Sequence, residues 1–161
     1  MEWTYFIVSM LVSVLSTVGA VMLRQKLKTK ADKIERQQTA KELAKTTLLQ
    51  ELQENLKLYL RKEPSNGGSL QDFLEHGNVE IQGNEKVWKD IYWFRLDEWD
   101  EVKYEIAKLD PSLADQLFRV YQQLEVLYAH SLAESPIFRI DRLGFHNFTE
   151  NCEKIINELK T

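Results

Sequence analysis

Apolar positions are distributed unevenly along the chain, and each pattern predicts a different element. From Trp3 to Leu23 run 21 residues without a charge, rich in Val, Leu, Ile, Met and Phe. As a helix rising about 1.5 Å per residue, such a run spans roughly 30 Å, the hydrocarbon thickness of a bilayer. From Lys26 to Lys62 there is neither Gly nor Pro, and Lys, Glu, Gln, Leu and Ala dominate, a composition that predicts one long helix. Its early apolar positions are sparse, with Leu27, Ala31 and Ile34. Leu49, Leu52, Leu56 and Tyr59, with Leu48 and Leu60 beside them, follow the three-four spacing of a buried stripe. The pattern is that of a polar stalk whose second half enters a core.

The segment Glu63–Ser69 (EPSNGGS) is punctuation, joining a helix-stopping Pro to an Asn-Gly-Gly turn. Leu70, Phe73 and Leu74 then predict a short helical turn, and His76 to Asn84 an extended piece or loop carrying Val79 and Ile81. The aromatic run Val87–Phe94 continues into Leu96, Trp99, Val102, Ile106 and Leu109, as one helix or as two separated near Arg95 to Asp97. Asp110-Pro111 starts another helix, because Asp can accept from the first orphan N–H groups and Pro suits the first helical position. That helix carries Leu113, Leu117, Val120, Tyr121, Leu124, Leu127 and Tyr128 on one face and ends before Pro136. Ile137, Phe138, Ile140, Leu143 and Phe145 form an apolar bridge. A last helix, from Asn147 or Thr149 to Leu159, buries Phe148, Cys152, Ile155, Ile156 and Leu159. The fold class expected is all-α: a single N-terminal transmembrane helix, a long connecting helix and a small antiparallel helical bundle, divided as 1–23 anchor, 24–46 basic stalk and 47–161 helical cytoplasmic domain.

The net charge of −4 conceals a strong polarity along the chain, since residues 24–46 sum to +5 and residues 47–161 to −8. An acidic distal domain argues against nucleic acid as a partner, which needs a continuous basic surface. Arg24, Lys26, Lys28 and Lys30 flank the apolar run and form a lipid-facing basic cluster, where each cation contributes on the order of 1 kcal/mol near anionic head groups. With Lys and Arg on that flank, the positive-inside rule places Met1 outside and everything after Leu23 in the cytoplasm of a single-pass cell-membrane protein. Trp3 and Tyr5 suit the outer interface. The rival reading is a cleaved signal peptide ending at Val18-Gly19-Ala20; it lacks a basic residue ahead of the run and has the positive cluster on the wrong side. Within the span, Ser9, Ser13, Ser16, Thr17 and Ala20 share one stripe, the spacing that lets membrane helices approach closely; the bland reading is that each hydroxyl bonds its own backbone.

Candidate chemistry is thin. His76, His130 and His146 have no second ligand at a metal-binding helical spacing; His130 has only Glu134 one turn on. Asp97, Glu98, Asp100 and Glu101 cluster, but adjacent carboxylates on a helix diverge and favour its first turn. Cys152 is the lone cysteine, with no partner for a disulfide and no activating base. There is no phosphate-binding Gly loop and no nucleophile elbow. No cofactor and no metal are expected.

Two stretches, Leu49–Leu56 (LQELQENL) and Trp99 through Leu109-Asp-Pro to Tyr121–Leu127 (YQQLEVL), resemble a broad set of small uncharacterised bacterial proteins with an N-terminal transmembrane helix and a helical cytoplasmic domain. The resemblance rests on helix-packing residues and implies an all-α domain, with no catalytic residues to carry over. The function expected is a membrane-tethered protein-interaction or scaffold module, with membrane lipids and either its own copies or another protein as partners. The alternative is a small-ligand sensor or enzyme with an inter-helix pocket near Trp88, Trp93 and Trp99, using Asp97 or Asp100.

Overall fold

The computed structural model describes residues 2–62, 68–76, 94–132 and 142–161, with side chains described for 22–62, 68–76, 94–129 and 144–161. Every regular element among the described residues is helical: α1 (Glu2–Leu60), α2 (Leu70–Leu74), α3 (Asp97–Leu109), α4 (Pro111–Leu132), a 3-10 turn (Arg142–Phe145) and α5 (Phe148–Lys160). The all-α class is therefore that of the structure. Two compact units divide it, Met1–Gln38 and Thr39–Thr161.

The first unit is helical backbone without a core of its own among the described side chains. Met22, Leu23, Leu27 and Ile34 are all exposed, at 46% or more, and so are Arg24, Lys26, Lys28 and Lys30. Among the described residues no helix is long and apolar enough to cross a membrane. The expected transmembrane helix is thus not a feature the structure supports: its uncharged run falls almost wholly on residues 3–21, whose side chains lie outside the described residues, and from Arg24 onward α1 is too polar to span.

The second unit is the folded body. Along α1 the buried positions are Ala40, Ala44, Leu48, Leu52, Leu56 and Tyr59, a strip that begins two turns earlier than the leucine-rich part of the sequence. Leu49 and Leu60 are only partly buried, on the strip's edge. Small Ala side chains at positions 40 and 44 occupy a closely packed site that an apolar count overlooks, because alanine adds little area yet must be excluded from water where backbones approach. Facing the strip are Trp99 and Ile106 of α3, Leu117, Val120, Tyr121, Leu124 and Leu127 of α4, and Phe148, Cys152 and Leu159 of α5.

The helix ends follow local chemistry. Ser69 caps α2 with a reciprocal box, its hydroxyl accepting from the Asp72 N–H at 3.1 Å while Asp72 Oδ2 accepts from the Ser69 N–H at 2.9 Å. Asp110 Oδ1 accepts from the N–H groups of Ser112 and Leu113 at 3.0 and 3.3 Å, and Pro111 follows as the first residue of α4. This turn brings α4 back against α3. The aromatic run 87–93 and the bridge residues Ile137, Phe138, Ile140 and Leu143 lie outside the described side chains.

The strip's register is testable. Leu52 is fully buried, so Leu52→Ala is expected to destabilise the domain by about 2–5 kcal/mol, while Leu49→Ala costs clearly less. Denaturant titration of the two variants of the full chain checks this, and equal losses would contradict the assignment of faces.

Candidate functional site

Among the described residues three polar side chains interrupt the buried surface: Glu51 of α1 at 1% exposure, Asn55 of α1 at 0% and Ser69 at 2%. Ser69 is the α2 cap; the other two are one turn apart and define the most chemically loaded place in the domain. An isolated carboxylate in such surroundings is expensive to keep charged unless hydrogen-bonded, and Glu51 is well supplied. Its Oε1 accepts from the Tyr121 hydroxyl of α4 at 2.8 Å, and its Oε2 accepts from the Glu98 backbone N–H at the start of α3 at 3.0 Å. The Trp99 N–H also bonds to it.

The reason for this arrangement lies in α3. Its N-cap position is Leu96, which offers no side-chain acceptor, so the orphan N–H groups of the first turn need one from elsewhere. Glu51 supplies it from another helix and brings a negative charge to the positive end of the α3 dipole. Asn55 does the neighbouring task. Its Nδ2 donates to the Arg95 carbonyl at 2.7 Å and its Oδ1 accepts from the Arg95 N–H at 2.8 Å, so one amide closes both hydrogen bonds of the residue leading into α3. Above the carboxylate, Trp99 stacks on Tyr121 with centroids 4.6 Å apart and planes 7° from parallel. Phe118 meets the indole edge-on at 6.0 Å.

Electrostatics agree with this geometry. Burial raises the Glu51 pKa above its ordinary value, opposed by the hydrogen bonds from Tyr121 and the α3 backbone. Burial, with the Glu51 charge beside it, holds the Tyr121 phenol far above its normal range, so this hydroxyl is a fixed donor and not an acid. A second glutamate repeats the device: Glu75, just after α2, accepts from the Thr149 N–H at 3.1 Å and from its hydroxyl, while Asn147, the α5 N-cap, contributes no side-chain bond. The buried Tyr59 hydroxyl finds no hydrogen bond of good geometry; burial chiefly, and the nearby Glu75 charge, raise its pKa.

The predicted site residues are placed as follows. The stripe Ser9, Ser13, Ser16, Thr17 and Ala20 lies outside the described side chains, as do Trp88, Trp93, His130 and Glu134. Trp99, expected to border a pocket, is 1% exposed and fully occupied with Tyr121. Asp97 and Asp100 form the acidic first turn of α3 with Glu98; Asp97 and Asp100 face solvent, and Asp100 pairs with Lys103. His76 and His146 are exposed, and the nearest carboxylate to His76 is Asp72 at 3.8 Å. Cys152 is fully buried, and burial pushes its thiol up to about 12, which keeps it protonated and unreactive. Among the described residues no three His, Cys, Asp or Glu side chains could share a metal ion. Glu51 and Asn55 escaped the sequence reading, although they lie in phase with Leu48, Leu52 and Tyr59, the signal by which they could have been found.

Comparisons with protein families, with curated proteins and with solved structures find no match for this chain. The likeness carried by residues 49–56 and 99–127 therefore identifies no family.

A raised carboxylate pKa means that the native state binds the proton more tightly than the unfolded chain does. The Glu51 contribution is then fully present below its ordinary value of 4.5 and is lost as pH rises through the higher native value. The stability of the wild type relative to Glu51→Gln is accordingly expected to fall with rising pH across that interval, measured by denaturant titration of both proteins from pH 4 to 8. An advantage of the wild type that grows with pH would reverse this reading.

Proposed function

We propose that the chain is a membrane-tethered protein-interaction or scaffold module, with residues 3–23 as a single transmembrane anchor and the helical domain on the cytoplasmic side. The observation that carries this reading is a juxtaposition in the sequence: 21 uncharged residues abut a segment of charge +5. In the structure the four cations nearest the run, Arg24, Lys26, Lys28 and Lys30, are all exposed on helical backbone. A cationic flank of this kind suits anionic head groups and sets orientation.

The interaction half of the proposal is supported by how the polar chemistry is spent. Glu51, Asn55, Tyr121 and Glu75 complete helix ends and are fully engaged with one another or with backbone, which leaves them no role on a substrate. Large apolar side chains remain outside the core instead, with Tyr104 72% exposed on α3 and Phe118 53% exposed on α4. Tethering such a domain to one surface raises its effective concentration toward membrane-bound partners without any new contact. The pocket-bearing alternative near Trp99 draws no support from the described residues, because the indole is buried and stacked.

Membrane attachment and orientation are tested together. The chain should remain in the membrane pellet after alkaline carbonate extraction, and a C-terminal epitope should resist protease added to intact cells. Release into the supernatant, or digestion from outside, would overturn the anchor or its direction. For the Ser9, Ser13, Ser16, Thr17 and Ala20 stripe, replacing Ser13 by Leu and Thr17 by Ile is expected to abolish crosslinked dimers of the full-length protein. Unchanged crosslinking would remove self-association through that stripe.

A further inference from the structure

Between α1 and α5 lies an open groove of about 780 Å³. This size lies within the range of small-molecule sites, about 300–1,000 Å³. Its apolar lining comes from Leu56 and Leu60 of α1 and Ile156 of α5, and cations stand on both walls, Lys57 and Arg61 on one and Lys160 on the other. Asn157 adds an amide and Glu153 a single carboxylate.

Two features separate this groove from an ordinary surface furrow. It carries three cations against one acid in a stretch, residues 47–161, whose net charge is −8, so its local charge opposes that of the domain around it. In addition, Arg95, Lys103, Lys108 and Arg119 each have a carboxylate within 4.0 Å, whereas among the described residues Lys57 and Lys160 make no such pair, Lys57 acting on Glu54 through charge alone. Both lysines lie in the last turn of their helices, where a positive charge meets the negative end of the dipole. That accounts for a lysine in each helix, and not for the apolar floor that they border from opposite walls.

We infer that the groove between α1 and α5 binds an anionic amphiphile, a molecule with a phosphate or carboxylate head and an apolar chain. The chain lies on Leu56, Leu60 and Ile156, and the head is held by Lys57 and Lys160 through charge-assisted hydrogen bonds. The apolar part supplies area and the cations supply selection by charge. A neutral chain or a bare anion each satisfies only half of the site.

The test is methyl NMR on the full chain held in phosphatidylcholine nanodiscs, titrated separately with octyl phosphate, octanol and inorganic phosphate. Octyl phosphate is expected to shift the Ile156 and Leu60 methyl resonances saturably, while those of Leu113 and Ile106 stay in place. Octanol and inorganic phosphate should bind at least tenfold more weakly. Lys57→Glu and Lys160→Glu, both on exposed side chains that the core does not need, should each weaken octyl phosphate at least tenfold with the Ile106 resonance unchanged. An Ile156 shift produced by phosphatidylglycerol in the nanodisc, with nothing added, would identify a bilayer lipid as the source of the head group. A response to soluble octyl phosphate alone would identify a free amphiphile. No saturable shift at Ile156, an equal response to octanol, or indifference to both charge reversals would overturn the proposal. Failure of the chain to incorporate into nanodiscs would count against the anchor and not the groove, and the same titration would then be run on the free chain.

Discussion

The folded body of this protein is organised around one buried carboxylate. Glu51 sits inside a leucine strip and would be an expensive defect if unpartnered, yet every hydrogen bond it accepts comes from a different part of the domain that must be in place for it to be tolerated: the Tyr121 hydroxyl from α4 and the backbone of Glu98 and Trp99 from the first turn of α3. Those groups need it in return, since α3 begins without an acceptor of its own. Losing one partner leaves several buried groups unsatisfied together, at about 1–3 kcal/mol for each. The cluster fixes how three helices meet more than it adds net stability, because the cost of burying the charge offsets much of what the bonds return.

Around that point the packing is aromatic and directional. Trp99 over Tyr121 holds the phenol in the orientation that its donated bond requires, and Asn55 holds the backbone of Arg95 one turn away. Glu51, Asn55 and Tyr121 are thus occupied with the domain's own architecture. Its unspent chemistry lies outside: exposed aromatics on α3 and α4, the cationic segment that follows the uncharged run, and a groove whose charge runs against its surroundings.

The helical class was readable because each element announces itself by a different physical signal. The absence of Gly and Pro from 26 to 62 marks α1, Asp110-Pro111 marks the start of α4, and the spacing of Phe148, Cys152, Ile155, Ile156 and Leu159 marks α5. Two things were not readable. Ala40 and Ala44 are buried, but alanine is indifferent to exposure, so composition places the polar stalk's end later than the packing does. Glu51 and Asn55 share the phase of Leu48, Leu52 and Tyr59, but a carboxylate and an amide look solvent-facing until the helix is paired, since their partners stand 70 and 40 positions away. The groove was equally hidden, being made from two helices whose sequences give no hint of their meeting.

The glutamate caps of α3 and α5 bear on the order in which the chain becomes structured. Glu51 precedes Glu98 by 47 positions and Glu75 precedes Thr149 by 74. A polypeptide leaving the ribosome N-terminus first thus exposes each acceptor before the helix that will use it. α3 and α5, at 13 residues each, are too short to hold together alone in water. They would settle only as they reach the carboxylate already waiting on an earlier segment, so that synthesis itself lays down the template before the parts that dock on it.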